Sequence, residues 1–240
     1  MAYKNITLTE KSSGDYFYEE AIKTLRTNLQ FSGKNNKVVL LTSAYGSEGK
    51  SDTSFRLAKE LGKAGKKVLL IDADIRKSAY KARYDIQEET QGLSQYLSGQ
   101  IEHIDEIVYK TNFENLYLIL AGPYAPNPTE ILGDDQFGQL LKAARQVFEY
   151  VIVDTPPLGA VVDAAVIGQY CDGAIIVIES GVTSRRVLQK VKIQLEKSGC
   201  KVLGAVLNKV DLNGHGYYGG KYKRYYSNKR ARYYGTMSER

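Results

Sequence analysis

Residues 44–51 read AYGSEGKS, and they lie between a short apolar run at 38–42 and a segment at 50–64 whose apolar side chains recur at helical spacing. This is the pattern of a phosphate-binding loop, with Ala44 in place of the first glycine. A strand before the loop and a helix after it are the context in which the motif binds phosphate. The sequence therefore predicts a strand–loop–helix unit, and an ordinary glycine-containing turn is the less favoured interpretation.

The residue types in this loop suit a triphosphate ligand. Small residues let backbone N–H groups turn toward a phosphate, and the helix N-terminus adds a partial positive charge. Lys50 is predicted to bridge the β- and γ-phosphates, and the Ser51 hydroxyl is predicted to ligate Mg²⁺. We therefore expect ATP and Mg²⁺ to bind. The residues predicted to contact the nucleotide are Gly46, Ser47, Glu48, Gly49, Lys50, Ser51, Asp52 and Asn208.

Two further apolar runs end in carboxylates. Residues 68–74 read VLLIDAD and residues 151–154 read VIVD, so Asp72, Asp74 and Asp154 follow predicted buried strands. In an open α/β sheet, ligands bind beyond the carboxyl ends of the strands. Each aspartate alone is also compatible with a helix cap or a turn. Three of them together with the loop favour one shared site.

Asp72, Asp74 and Lys50 are the predicted catalytic residues. One of the two carboxylates takes a proton from an attacking hydroxyl and the other binds the metal. We favour Asp72 as the base and Asp74 as the metal ligand, beside Ser51 and Asp154. Alternate residues of a strand point to opposite faces, so both reach one site only if the strand ends there.

The rest of the chain alternates between predicted strands and predicted helices. The strands are expected at 67–73, 116–120, 150–154, 173–179 and 201–208, and the helices at 16–31, 136–148, 161–169 and 184–198. This alternation favours the α/β class, with a mostly parallel sheet covered by helices on both faces, as in P-loop NTPases. We expect residues 1–214 to form this domain. No apolar run approaches the roughly 20 residues that span a bilayer, and no secretory signal is visible, so a cytoplasmic location is expected.

The segment 215–240 differs in composition from the rest of the chain. It contains seven Lys and Arg against one acidic residue, Glu239, and so carries the whole net charge of +6. It holds no Leu, Ile or Val, which leaves too little aliphatic surface to offset the entropy of ordering. We predict a flexible basic tail. Its clustered tyrosines are Tyr217, Tyr218, Tyr222, Tyr225, Tyr226, Tyr233 and Tyr234.

The loop, VLLIDADIRKS at 68–78 and VIVDTPP at 151–157 together resemble the bacterial tyrosine kinases of capsule and exopolysaccharide synthesis. Residues 20–32 are similar to the N-terminal helix of that family, and residues 121–132 to its proline-bearing segment. The resemblance implies an ATP-dependent protein-tyrosine kinase on a P-loop ATPase fold. It further implies that the seven tail tyrosines are phosphoacceptors and that the enzyme regulates polysaccharide synthesis and export.

The same resemblance implies partners. Members form rings through an E-x-x-R-x-x-R motif, here Glu20, Lys23 and Arg26, and one subunit's tail enters the neighbouring active site. In the Gram-positive split type, a membrane-embedded regulator of chain length activates the kinase through a cytoplasmic segment, which would hold it at the inner face of the membrane. Protein substrates and an opposing tyrosine phosphatase are also implied. The chain departs from the family pattern at Lys23, which lacks the planar fork of arginine, and at Ser78, where proline is common.

Other functions remain open from the sequence alone. Positioning ATPases of plasmid partition and septum placement share the fold, but they carry an extra lysine early in the loop, where this chain has Tyr45. Basic residues interleaved with aromatics also suit an arm that binds nucleic acid or an anionic membrane, although we expect no nucleic-acid partner. A tail that only aids solubility is the plainest alternative. Phosphotyrosine formed with Mg-ATP would separate these functions.

Overall fold

The computed structural model describes residues 3–10 and 16–211. Most of the predicted domain at 1–214 falls within these ranges. The predicted flexible tail at 215–240 and its seven tyrosines lie outside the described residues, so both remain predictions.

Eight strands form one sheet in the described part of the chain, in the order β1-β4-β5-β3-β6-β2-β7-β8. Only the β4–β5 pair is antiparallel, and every other neighbouring pair is parallel. The strand bounds are β1 Lys4–Ile6, β2 Val38–Ser43, β3 Val68–Asp72, β4 Tyr109–Thr111, β5 Leu116–Ile119, β6 Tyr150–Asp154, β7 Gly173–Glu179 and β8 Val202–Asn208. The mostly parallel α/β sheet that the alternation predicted is confirmed.

Eight helices and one short 3₁₀ turn connect the strands in the described residues. The helix bounds are α1 Tyr16–Phe31, α2 Lys50–Lys63, α3 Tyr80–Arg83, α4 Leu93–Leu97, α5 Pro128–Gly133, α6 Asp135–Val147, α7 Asp163–Gly168 and α8 Arg185–Lys197, and the 3₁₀ turn is Ile104–Glu106. The five predicted helices lie within two residues of the observed bounds. The three-residue strands β1 and β4 and the short helices α3 to α5 were not predicted, because so few residues show no clear period.

Both faces of the sheet are buried against helices, as a parallel sheet requires. All six residues of β2 are buried, and its four apolar residues, 38–41, alternate between two separate apolar cores. Leu40 belongs to one core with side chains of α6, α7 and α8, whereas Leu41 belongs to the other with side chains of α1 and α2. This explains why β2 is a continuous apolar run in the sequence rather than an alternating one.

The strand order brings the chemically distinctive segments together. β6 lies between β3 and β2, with Asp154 opposite both Asp72 and Leu41 in register. The loop at 44–49 leaves the carboxyl end of β2 and enters α2 at Lys50. The carboxyl ends of three adjacent parallel strands therefore converge on one edge, which is where ligands bind in open α/β sheets.

Candidate functional site

The loop at 44–49 has the backbone geometry of a phosphate cradle. Ser47 and Gly49 both have positive φ, 64° and 90°. Left-handed residues that alternate with right-handed ones turn successive backbone N–H groups toward one point, where an anion can bind. Ser47 adopts the left-handed region that glycine more often occupies, as the loop requires of it. A side chain at Gly49 would place its Cβ 2.1 Å from Asn208 Nδ2, so glycine is needed there.

The side chain of Glu48 stabilises the loop through hydrogen bonds to Tyr45 within the loop and to Glu179 and Thr183 outside it. Its carboxylate is buried and accepts hydrogen bonds from the backbone N–H of Tyr45 at 2.7 Å and of Glu179 at 3.1 Å, and from the hydroxyl of Thr183. Asn208 donates through Nδ2 to the Glu48 carbonyl at 2.9 Å. The predicted nucleotide contact of Glu48 can therefore involve only its backbone, while its side chain ties the loop to the end of β7.

Lys50 reaches the carboxylates that end β3 and β6. Its Nζ lies 3.6 Å from Asp74 Oδ2 and 4.0 Å from Asp154 Oδ1, and it donates to Ser51 Oγ at 3.2 Å. These four predicted site residues, which lie between positions 50 and 154 of the chain, thus form one cluster. A cation beside two carboxylates is the expected arrangement where a triphosphate and a metal ion meet.

Asp72 is the last residue of β3 and is completely buried. Burial, and then the neighbouring Asp154, raise the pKa of the Asp72 carboxyl to about 8. The carboxylate accepts hydrogen bonds from the backbone N–H of Asp74 at 3.2 Å and from the hydroxyl of Ser78. Because β3 ends at Asp72, the chain turns there and Asp74 reaches the same site, as the prediction required.

Asp154 is the buried carboxylate at the end of β6. Its Oδ1 accepts a hydrogen bond from Ser54 Oγ at 3.1 Å, but its Oδ2 is buried without a partner. Burial raises the pKa of Asp154, against the lowering influence of nearby Lys50. A buried carboxylate oxygen with no donor is a polar atom that a metal ion or its water would satisfy.

The donor set fits Mg²⁺ rather than a preformed metal cage. Within the described residues, no group of three or more His, Cys, Asp or Glu lies close enough together to hold a metal ion by itself. Mg²⁺ ordinarily takes one or two carboxylates and completes its shell with water and substrate phosphates. Ser51, Asp74 and Asp154 match that requirement.

Asp52 connects two helices through its side chain. The carboxylate accepts from the hydroxyl of Tyr18 at 2.6 Å and from Arg56 Nε at 3.0 Å. Burial, followed by this hydrogen bond, raises the pKa of the Tyr18 phenol. The side chain of Asp52 therefore links α2 to α1, and a nucleotide contact for Asp52 would involve its backbone.

Three further groups around the site were not among the predicted site residues. Ser54 lies one helical turn after Lys50, a spacing that could have identified it. Tyr80 is buried and donates through its hydroxyl to the Ser51 carbonyl at 3.1 Å. Arg76 binds both oxygens of buried Asp163 at 2.6 and 3.0 Å, and no local pattern indicated a contact 87 positions away.

The predicted assembly residues lie on α1 but do not form one cluster. Glu20 and Lys23 form an ion pair at 2.7 Å. Arg26 turns toward α2, where its Nη1 lies 3.9 Å from Glu60 Oε2, and its Nε is buried without a hydrogen-bond partner. Their role in a ring remains a prediction.

The two cysteines, Cys171 and Cys200, are both free thiols. None of the helices in the described ranges combines the length and the apolar character needed to cross a membrane.

A loop of this geometry, between a parallel strand and a helix and facing three carboxylates, defines a nucleotide-binding protein of the P-loop class. The family model described as "AAA domain" matches residues 36–197. Over 208 residues, the chain is 43% identical to the tyrosine-protein kinase CpsD of Streptococcus agalactiae, covering 86% of this chain and 90% of the relative. The kinase domain of the Escherichia coli tyrosine kinase ETK superposes with a TM-score of 0.74 at 32% identity, over 83% of this chain and 79% of that one.

The chain belongs to the family of bacterial tyrosine-protein kinases, as the sequence motifs predicted. The septum site-determining protein MinD of Pyrococcus horikoshii is also similar, with a TM-score of 0.60 at 23% identity over 71% of this chain and 69% of that one. At that identity the likeness concerns the fold alone, so the alternative of a positioning ATPase is the weaker one.

Proposed function

We propose that the chain transfers the γ-phosphoryl group of ATP to tyrosine hydroxyls, including those of its own tail at 217–234. The observation that carries this proposal is the position of Lys50, whose Nζ lies 3.6 Å from Asp74 Oδ2 and 4.0 Å from Asp154 Oδ1. Buried Asp72 lies opposite Asp154 in the sheet. Phosphoryl transfer demands positioning and charge stabilisation more than covalent chemistry from the protein. This cluster supplies both.

The proposed roles follow from the contacts. The backbone of residues 46–52 holds the phosphates, with Asn208 and the Glu48 side chain fixing the loop from behind. Lys50 neutralises charge on the β- and γ-phosphates, and it has carboxylate neighbours that keep it in place before ATP binds. Asp72 accepts the proton of the attacking phenol. Asp74, fixed by the Lys77 N–H at 3.0 Å, remains the metal-side carboxylate.

Ser51, Asp74 and Asp154 would hold the Mg²⁺ that accompanies ATP. Bound there, the ion would supply positive charge that stabilises the phosphates and the ionised form of the nearby carboxylates.

The wider biological role is proposed from family membership. Capsular or exopolysaccharide synthesis and export is the process that this kinase would regulate, through cycles of tail phosphorylation reversed by a tyrosine phosphatase. A membrane-embedded regulator of chain length would activate it through a cytoplasmic segment and hold it at the inner face of the membrane. Assembly into a homo-oligomeric ring would present one tail to the neighbouring site. Other protein substrates are expected, and a nucleic-acid partner is not.

A kinase assay with the Lys50→Met variant tests the proposed activity. Methionine keeps the length and the apolar stem of lysine but removes the charge, so we expect tail labelling to fall at least about 100-fold. Phosphotyrosine is measured by mass spectrometry after incubation with Mg-ATP, and folding by thermal melting. Lys192→Met on α8, whose partner is Glu196 at 3.1 Å, is the matched control. Wild-type labelling in Lys50→Met would remove the activity from this site.

A further inference from the structure

Asp72 is sealed from solvent on every side. Its exposed fraction is 0%, although the neighbouring phosphate loop and Lys50 are partly open. One carboxylate oxygen, Oδ1, accepts the Asp74 backbone N–H at 3.2 Å. The other, Oδ2, accepts the hydroxyl of Ser78. An incoming phenol therefore does not meet the Asp72 carboxylate directly in this arrangement.

Ser78 is the group through which Asp72 connects to solvent. Ser78 is exposed, while the carboxylate to which it donates is buried. A serine hydroxyl has one proton to donate and two lone pairs that accept. Its proton goes to Asp72, and one lone pair receives the Tyr80 backbone N–H at 3.4 Å. The second lone pair remains for a donor that arrives from solvent.

The position of Ser78 is fixed relative to the phosphate loop. Tyr80, two residues later, is 1% exposed and packs its ring against Tyr84, with centroids 5.6 Å apart. Its hydroxyl donates to the carbonyl of Ser51 at 3.1 Å. The connection from β3 to α3 is thus attached to the Asp72 carboxylate at Ser78 and to the phosphate loop at Tyr80. These two contacts hold the exposed Ser78 hydroxyl at the edge of the sheet where the predicted site residues converge.

We propose that Ser78 is a catalytic relay that passes the proton of the acceptor tyrosine to Asp72. This inference rests on the proposed kinase function. As the phenol oxygen bonds to the γ-phosphorus, the bond to the bridging oxygen breaks and ADP leaves. The phenol proton moves to Ser78 Oγ, and the original Ser78 proton moves to Asp72 Oδ2. Ser78 is regenerated, Asp72 gains one proton, and no further reactant is needed.

A role limited to structure is the competing explanation, because the same hydrogen bond orients Asp72. The two explanations differ in what a threonine or an alanine at position 78 does to the chemical step.

The test compares single-turnover autophosphorylation of the full chain with Mg-ATP in Ser78→Ala and Ser78→Thr variants. Loss of the relay is expected to slow the chemical step about 100-fold, with the affinity for a fluorescent ADP analogue unchanged and the melting temperature lowered by no more than a few degrees, the effect of one lost hydrogen bond to a buried carboxylate. Threonine keeps the hydroxyl and is expected to restore the rate to within a few fold. Ser98→Ala, which removes another exposed hydroxyl, one that donates to the Gln95 carbonyl at 3.2 Å, is the matched control.

A second measurement tests how many protons move in the chemical step. Two protons move together in a relay, so the rate in mixtures of H₂O and D₂O should depend non-linearly on the deuterium fraction in the wild type and linearly in Ser78→Ala. A Ser78→Ala variant as fast as the wild type overturns the relay. So does a rate loss that is matched by an equal loss of ADP affinity or stability. If the wild type itself forms no phosphotyrosine, the proposed kinase function fails, which is a different result.

Discussion

Asp72 and Asp154 lie opposite each other in register on β3 and β6, and both carboxyl groups are buried. Each loses hydration on burial, and ionised Asp154 disfavours ionised Asp72, so the pKa of both groups is raised, that of Asp72 to about 8. The burial of these two carboxyl groups is therefore unfavourable, and it lies at the edge of the sheet where a bound Mg²⁺ ion would add positive charge. Active sites commonly hold such destabilising groups because the chemistry needs them.

Asp72→Asn is expected to stabilise the metal-free protein, and to do so more at high pH. The pKa of Asp72 is raised on folding from its ordinary 3.8 to about 8. The folded state therefore binds this proton more tightly, and its stability falls as the pH rises through that window. Asparagine removes the dependence. With EDTA present, we expect the melting temperature to rise by about 5 °C at pH 8 and by much less at pH 5. An equal change at both pH values would contradict the assignment.

Asp72 and Asp74 should also give different kinetic signatures. Asp74→Asn removes a proposed metal-side carboxylate, so it should weaken the binding of Mg-ATP. Asp72→Asn removes the proposed base, so it should lower turnover about 100-fold with nucleotide affinity largely kept. Nucleotide titration and phosphotransfer assays on both variants separate the roles. The reverse pattern would exchange the two assignments, and full activity in both would exclude the end of β3 from catalysis.

Glu48 should support nucleotide binding without touching the nucleotide through its side chain. In Glu48→Gln, an amide –NH₂ replaces either Oε2, which accepts from the Tyr45 N–H, or Oε1, which accepts from the Glu179 N–H, so at least one buried donor loses its acceptor. This costs about 1–3 kcal/mol of stability. Because the loop is held less firmly, we also expect ATP affinity to fall about tenfold.

Calorimetric titration with ATP, together with thermal melting, measures both effects of Glu48→Gln. Glu102→Gln, an exposed glutamate far along the chain from the loop, is the control and should change neither quantity. If Glu48→Gln bound ATP with wild-type affinity, the hydrogen bonds of the Glu48 carboxylate would not contribute to nucleotide binding.

Much of the fold and of the site could be predicted because the information is local. β2, β3 and β6 are continuous apolar runs that each end in a polar signature, and a parallel sheet collects such ends at one edge. The direction of the Glu48 side chain could not be predicted in this way. It depends on Glu179 and Thr183, 131 and 135 positions away, and only the strand order β2-β7 places them beside the loop.

The hydrogen bond of Ser78 to Asp72 could not be predicted from the sequence either. The sequence identified Ser78 only as a departure from a common proline. Its hydrogen bond to Asp72 depends on the turn after β3 and on the attachment of Tyr80 to Ser51. Such contacts follow from tertiary packing, which residue spacing does not encode.

The charged side chains at positions 20, 23 and 26 of α1 should control assembly of the chain into an oligomer. Replacing Glu20, Lys23 and Arg26 with alanine removes one exposed ion pair and a 3.9 Å pair to Glu60. The exposed Glu20–Lys23 pair contributes at most about 1 kcal/mol. The Arg26–Glu60 contact is long, and Glu60 keeps Lys63 as a partner at 2.7 Å, so the monomer should stay folded while the oligomer dissociates. Light scattering measures the mass. Lys192→Ala with Glu196→Ala removes a comparable pair from α8 and should leave the mass unchanged. Unchanged mass in the α1 variant would place the contact elsewhere.

The seven tail tyrosines should be substrates rather than structural residues. Changing all seven, at 217, 218, 222, 225, 226, 233 and 234, to phenylalanine removes the hydroxyls that accept phosphate. We expect most autophosphorylation to disappear, while thermal stability and ATP binding stay at wild-type values because the segment 215–240 has no Leu, Ile or Val against which these tyrosines could pack. The other twelve tyrosines lie in the described residues.

Most of those twelve body tyrosines are at least partly buried, so packing should keep them from an active site. Tyr16, Tyr45 and Tyr124 are the exposed ones, at 54%, 45% and 71%. A variant with Tyr16 and Tyr124 changed to phenylalanine is therefore the control, and it should label like the wild type.

Each phosphate adds roughly −1.5 to −2 charges, so three or four of them would cancel the +6 of the tail. Phosphorylation would thus change the attraction of the tail to acidic surroundings into repulsion. If mass spectrometry found the phosphate mainly on the body tyrosines, the tail would not be the acceptor, and its basic residues would instead indicate an arm that binds an anionic surface.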